Sequence, residues 1–396
     1  MNSDPGARHR RYKFGIVLST SLGNLTRYQN FRRYAEQDPE VELTWAPISH
    51  YFEPGVANPY ERLPRAVQAR AIVIHQAQPV LRKLDELDAL LIHMYEVDLL
   101  LALRAKFLRT PLRIVSTDDG PAIDPATYPF HPVDGRKAAW RKRLRLRVDL
   151  WRSRSADFLI PFSTWAADLH IRGAGKSPDR VEPIHVGLDL RIWPDRDRSN
   201  VVAHDRIKLL FVGGEFERKG GALLLQVFKS HFQDVAELHL VSKSAPKDLP
   251  ANTTLYDDYH ANDPRLAELY RAADIFVLPT LSDLSSWVTL EAMASGCPVV
   301  VTPVGGISDL VDPEVTGILI PVGDADALRK AIERLIDDPA RRIEMGQAAR
   351  RYVETRFDAA KNVPRILGIM KRLVDADRLR PARTPASAKI ANRTYT

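Results

Sequence analysis

At 396 residues, 45% of them hydrophobic and 27% charged, the chain has the length and mixture of a globular protein with two domains, each with its own core. Its net charge of +7 is concentrated in one segment, which excludes an evenly basic nucleic-acid-binding surface. One cysteine, Cys297, excludes an internal disulfide and points to a reducing cytoplasm, with that thiol a small core residue.

In chain order, residues 1–12 read as a flexible polar tail. Its cations precede an apolar run, 14–18, too short for a signal peptide. Residues 14–19 read as a buried strand and 20–23 as its turn. A helix starts at Asn24, with Leu25, Tyr28 and Phe31 at helical spacing, and 41–46 alternate as a second strand. This βαβ opening predicts a parallel sheet. Gly23 has two readings: it makes the turn, or it lets the backbone approach a ligand. Prolines 54, 59 and 64 break the next stretch. A helix is expected over 64–84, a strand over 89–93, a helix over 97–107 and a strand over 112–116. The apolar run at 90–103 is interrupted by His93, Glu96 and Asp98, so it is not a membrane span. His93 ends its strand and either reaches a cleft or is a satisfied structural histidine. Asp118, just past the next strand, reads on its own as a helix or turn cap.

Between Arg136 and Arg154 lie nine basic residues and one acid, interleaved with Trp140, Leu144, Val148 and Trp151. As a helix, this segment either meets an anionic membrane surface or packs its apolar residues on its own domain. No nucleic-acid motif accompanies it. A strand over 157–161 and a helix lead to a linker over 193–205. The second half opens with an apolar strand, 207–212, the loop GGEFERKGG, and a helix over 222–232. A glycine-rich loop opening a helix suits a phosphate, although neither the Walker spacing nor GxGxxG is present. Strands follow at 238–241 and 274–278, with a helix over 264–270 between them. The stretch 278–301 reads LPTLSDLSSWVTLEAMASGCPVVV: strand end, polar loop, Ala-rich helix, strand. Its loop leaves the carboxyl end of a parallel strand, where open α/β sheets bind ligands. Further on, the helix from Asp324 carries Leu328, Ile332 and Leu335 as a core-facing stripe. Residues 378–396, rich in Pro, Ala and Arg, read as a disordered tail.

The stretch LEAMASGCPVVVTPVGG, with Asp283 and Glu291 eight residues apart, resembles the acidic–x7–Glu signature of retaining glycosyltransferases of family 4 (glycosyl transferases group 1). The loop at 213–220 resembles the family's Gly-Arg-Leu-x-x-x-Lys-Gly, with Lys219 in the lysine position and Gly214 where the family has arginine. The chain also departs at 283–286, where Asp-Leu-Ser-Ser stands for Glu-Gly-Phe-Gly, and after the 112–116 strand, where the family's histidine is missing.

The resemblance implies an α/β protein of the GT-B fold: two Rossmann-like, doubly wound domains facing across a cleft. It places an acceptor domain at 13–195, a nucleotide-sugar domain at 205–357, and a helix at about 358–377 returning to the first domain. It implies transfer of a sugar from a nucleotide diphosphate sugar to a hydroxyl of a carbohydrate, lipid or small molecule, with retention and without metal or cofactor. Lys219, Asp283 and Glu291 become the catalytic candidates: cation for the diphosphate, carboxylate for the sugar, carboxylate for the ribose. Gly213, Gly214, Arg218, Ser285, Ser286, Trp287 and Val288 become donor-binding candidates, and Gly23, His93 and Asp118 the acceptor side. The location expected is cytoplasmic, at the inner face of the membrane if 136–154 meets anionic lipid rather than packing on its own domain. Two alternatives stand beside it: another GT-B enzyme such as a nucleotide-sugar epimerase, or a basic membrane- or nucleic-acid-binding protein with a degenerate site.

Overall fold

The computed structural model describes residues 11–20, 24–49, 51–52, 57–93, 112–118, 136–193, 206–259 and 263–379. The expected turn at Gly23, the helix over 97–107, and most of the linker and of both tails lie outside these residues.

The first sheet holds five parallel strands: β1 (Tyr12–Ser19), β2 (Val41–Ile48), β3 (Ala89–His93), β4 (Arg113–Ser116) and β5 (Phe158–Leu159), in the order β2-β1-β3-β4-β5. The second holds six: β6 (Ile207–Val212), β7 (Ala236–Val241), β8 (Thr253–Tyr256), β9 (Ile275–Leu278), β10 (Val299–Val301) and β11 (Gly317–Leu319), ordered β11-β10-β9-β6-β7-β8. Both orders reverse direction beside their first strand, at β1/β3 and at β6/β9. Loops leaving adjacent strands at such a point diverge and open a crevice at the carboxyl ends. The chain therefore has one crevice per sheet, each at a place fixed by topology.

The central strands form because their residues are apolar on both faces: Ile275–Leu278 and Val299–Val301 are fully buried. Helix Ala325–Asp337 begins where Asp324 accepts from the Ala327 N–H, and it buries Leu328, Ile332 and Leu335 as the spacing predicts. Cys297 is buried in the same core. The last helix, Ala359–Arg378, packs Val363, Ile366, Leu367 and Met370 against Phe14, Ile16 and Phe31 of the first domain. Its far end is pinned by ions: Arg113 bridges Asp157 and Asp377, and Lys371 reaches Asp38 at 2.8 Å.

Three sequence boundaries move. Tyr12 opens β1, and its hydroxyl donates to Asp375 at 2.8 Å, so it is not tail. Trp193 is not linker: it is 1% exposed and stands edge-on to Tyr270, because an indole gains more from the second core than from solvent. The tail assigned from 378 loses its first residue, since Arg378 closes the last helix beside Asp88.

The crossing between domains is built at 185–189. Leu188 exchanges backbone hydrogen bonds with Phe357 and Ala359. Asp189, fully buried, accepts from Tyr34 at 2.8 Å and pairs with Arg33 and Arg191. Burial alone would raise its pKa, but hydrogen bonds from Arg191, Tyr34 and Arg33 outweigh it and hold the carboxyl at about 2.

Candidate functional site

The second crevice brings together Lys219, Asp283 and the start of the helix Trp287–Ala294. Lys219 stands at the end of the glycine loop, and its ammonium contacts the Asp283 carboxylate from the loop after β9. Both side chains are mostly buried, at 14% and 10% exposure, so the pair is shielded from bulk water. The other Asp283 oxygen accepts the Leu284 N–H at 3.0 Å.

The two loops are zipped together. The Leu281 N–H donates to the Arg218 carbonyl at 2.9 Å, and the Arg218 guanidinium donates to the Ser282 carbonyl at 2.5 Å. Gly220 has a positive φ of 79°, and a Cβ there would sit 2.0 Å from the Pro279 oxygen. Only glycine permits this approach, which is what brings Lys219 to Asp283. Arg218 also pairs with Glu215 at 2.8 Å, so its charge ties the loop rather than standing in for the family's missing arginine. Gly213 is crowded by Phe211 and Lys219, whereas a Cβ at Gly214 meets nothing within 4 Å.

The helix Trp287–Ala294 starts beyond Asp283, and no side chain caps it. Its first N–H groups lack intrahelical partners, and its dipole is positive at that end. Ser286 is buried, and its hydroxyl bonds Thr289 at 2.7 Å; the Ser285 hydroxyl lies 3.1 Å from His185 Nε2. Trp287 packs against the cores of both domains, and Val288 against the second.

Glu291 lies one turn deeper, 5% exposed. Tyr270, on the helix Pro264–Ala272, donates to its carboxylate at 3.0 Å. Burial pushes its pKa up to about 7 despite that hydrogen bond. Tyr270 itself is raised well above its ordinary value by burial and by the Glu291 charge.

In the first crevice, His93 ends β3 at the β1/β3 reversal. Its Nδ1 is buried without a hydrogen-bond partner, and its ring lies 5.6 Å from Phe162. The Arg27 guanidinium stacks on the other ring of that pair, 3.9 Å from the Phe162 centroid. Burial, then the Arg27 charge, lowers the His93 pKa well below 6.5, so the imidazole is neutral. Asp118 neither caps a helix nor faces the crevice unengaged. It accepts from His170 Nε2 at 2.7 Å and from Arg152 at 3.1 Å, because a buried carboxylate requires such partners. Gly23 lies outside the described residues.

The basic segment forms one helix, Arg136–Ser155. Its last turns pack on their own domain, with Asp149, Arg152 and Ser153 buried and Trp151 against the core, while Arg143, Arg147 and Arg154 are exposed. No helix among the described residues is long and apolar enough to cross a membrane. Asp257 and Asp258 pair with Lys247 and Arg265, and no metal-holding group of three or more His, Cys, Asp or Glu occurs among the described residues.

Comparison with known proteins matches the second domain and the fold. Residues 206–338 match the family described as glycosyl transferases group 1. The chain is 30% identical over 251 residues to D-inositol 3-phosphate glycosyltransferase 1 of Catenulispora acidiphila, a match covering 57% of this chain. It spans 60% of the length of that relative and 47% of a second, from Kribbella flavida. The sucrose-phosphate synthase of Thermosynechococcus elongatus superposes with a TM-score of 0.71 at 19% identity, over 92% of this chain and 100% of that one. Anabaena HepE in complex with UDP-glucose superposes with a TM-score of 0.64 at 15% identity, over 91% and 99%.

Proposed function

We propose that this chain, a GT-B protein whose second domain belongs to the glycosyl transferases group 1, moves a sugar with retention from a nucleotide diphosphate sugar to an acceptor hydroxyl. The observation that carries this reading is the contact between Lys219 and Asp283 beside an uncapped helix start. Sugar transfer breaks the bond between the anomeric carbon and the β-phosphate oxygen, and negative charge builds on the departing diphosphate. Lys219 and the N–H groups at Trp287 and Val288 are fixed where they stabilise that charge without reorganising. Asp283 sits at the same point and holds the sugar hydroxyls. Glu291, deeper along the helix, takes the ribose. The acceptor enters at the first crevice, past His93, and its proton passes to the departing phosphate oxygen as the new C–O bond forms. The glycosyltransferase relatives and the structural neighbour bound to UDP-glucose support transfer as the reaction and UDP as the leading candidate nucleotide.

A thermal-shift panel of UDP, GDP, ADP and dTDP tests the reading. One nucleotide is expected to raise the unfolding midpoint by about 3–6 °C at 100 times its Kd. No shift with any of them would remove the donor site from the account.

The same reading includes a peripheral contact between the basic helix and an anionic membrane, through the exposed Arg143, Arg147 and Arg154. Neutralising all three is expected to abolish co-sedimentation with vesicles containing about 30% phosphatidylserine at low salt, since each cation near such a surface contributes about 1 kcal/mol. Equal sedimentation of both forms counts against it.

A further inference from the structure

We propose that His185 is a positioning residue for the donor site: its Nε2–H holds Ser285 so that the Ser285 hydroxyl donates to the diphosphate of the bound nucleotide sugar. The inference rests on the donor-site reading above and adds to it a residue from the opposite domain.

His185 lies on the segment that crosses between domains, 100 residues before the loop it touches. The Gly187 N–H donates to its Nδ1 at 3.0 Å, so Nδ1 carries no proton and the ring is protonated on Nε2. Nε2 therefore donates to Ser285 Oγ, 3.1 Å away. A hydroxyl that accepts such a bond has its own hydrogen directed elsewhere. Ser285 has no other hydrogen-bond partner among the described residues, which leaves that hydrogen for a ligand at the helix start. The ring itself is clamped by Trp287 at 4.8 Å, Phe357 at 5.5 Å and Phe162 at 6.0 Å. Its carbonyl accepts from the Asn362 amide at 2.9 Å. First domain, donor loop and returning helix thus meet on one residue. Burial, then the Arg27 charge, lowers its pKa to about 3, so the same tautomer persists across the working pH range.

This contact stands at 283–286, where Asp-Leu-Ser-Ser replaces the glycine-containing pattern that the sequence otherwise resembles. Glycines let a backbone N–H approach a phosphate; here a serine hydroxyl fixed from the other domain supplies the donor instead.

The test separates the hydrogen bond from the packing. His185→Phe keeps an aromatic ring among Trp287, Phe357 and Phe162 but loses the donor; His185→Gln restores an N–H near the Nε2 position; Ser285→Ala removes the hydroxyl. Affinity is measured by calorimetry on the full chain with the nucleoside diphosphate that gives the largest shift in the panel above. His185→Phe and Ser285→Ala are each expected to weaken binding about tenfold, the double variant no further, and His185→Gln to recover most of the loss. Thermal midpoints without nucleotide should stay within a few degrees of each other. Additive losses, or an unchanged Kd in His185→Phe, overturn the proposal while leaving the donor site standing. A wild-type protein that binds none of the four nucleotides fails the underlying reading instead.

Discussion

Replacing Lys219 with alanine is expected to lower kcat/KM for sugar transfer by about 100- to 1,000-fold, the usual effect of deleting one fixed donor at a developing anion. The loss should fall mainly on kcat, because the charge that Lys219 meets grows as the glycosidic bond breaks. Asp283→Asn is expected to lose a comparable factor while keeping the shape of the side chain. The two residues contact each other, so their effects should not add: the double variant should be little worse than either single one. Release of nucleoside diphosphate under saturating donor measures all three. Additive losses would mean that the pair does not act as a unit. A single variant with wild-type turnover would mean that its residue does not serve the reaction.

The second expected result concerns pH. Glu291 has a pKa of about 7, raised by burial from an ordinary 4.5. If its carboxylate takes the ribose hydroxyls, the donor KM should fall about tenfold between pH 6 and pH 8 as that group ionises. Glu291→Gln should abolish this dependence and raise KM at pH 8 by about 10- to 100-fold, the loss of one or two charge-assisted hydrogen bonds. Stability should run the other way. Between pH 4.5 and 7 the folded protein keeps a proton that the unfolded chain has released, so stability from this group is full below 4.5 and declines as pH rises to 7. Glu291→Gln removes the decline and should stabilise the protein at pH 8 by up to about 3 kcal/mol. A variant that is more stable yet binds donor poorly marks a strained functional carboxylate. A variant that is less stable and binds donor normally marks Glu291 as a structural partner of Tyr270.

The sequence exposes these two carboxylates but not their neighbours. The spacing from Asp283 to Glu291 lies within one loop and one helix, so it is visible in the chain. Tyr270 is on the preceding helix, and nothing local links it to Glu291; only the packing of Pro264–Ala272 beside Trp287–Ala294 brings them together. His185 is legible only as a histidine ahead of a Gly-x-Asp turn, because its partner lies in the other domain. Strands buried on both faces, such as Ala89–His93 and Ile275–Leu278, can be read from apolar runs. Thr253–Tyr256 cannot be read that way: it is the sheet's edge, half-exposed, and its residues TTLY carry no such run. Asp118 sits at the carboxyl end of its sheet, where ligands bind, yet Arg152 and His170 claim its carboxylate. Position in a fold predicts opportunity, and only the partners decide use.

The most direct test of the account is a crystal structure of the full chain with the nucleoside diphosphate selected by the thermal panel. The diphosphate is expected between Lys219 Nζ and the N–H groups of Trp287 and Val288, with the ribose hydroxyls on Glu291. A nucleotide bound elsewhere, or one that leaves Lys219 facing only Asp283, would contradict it.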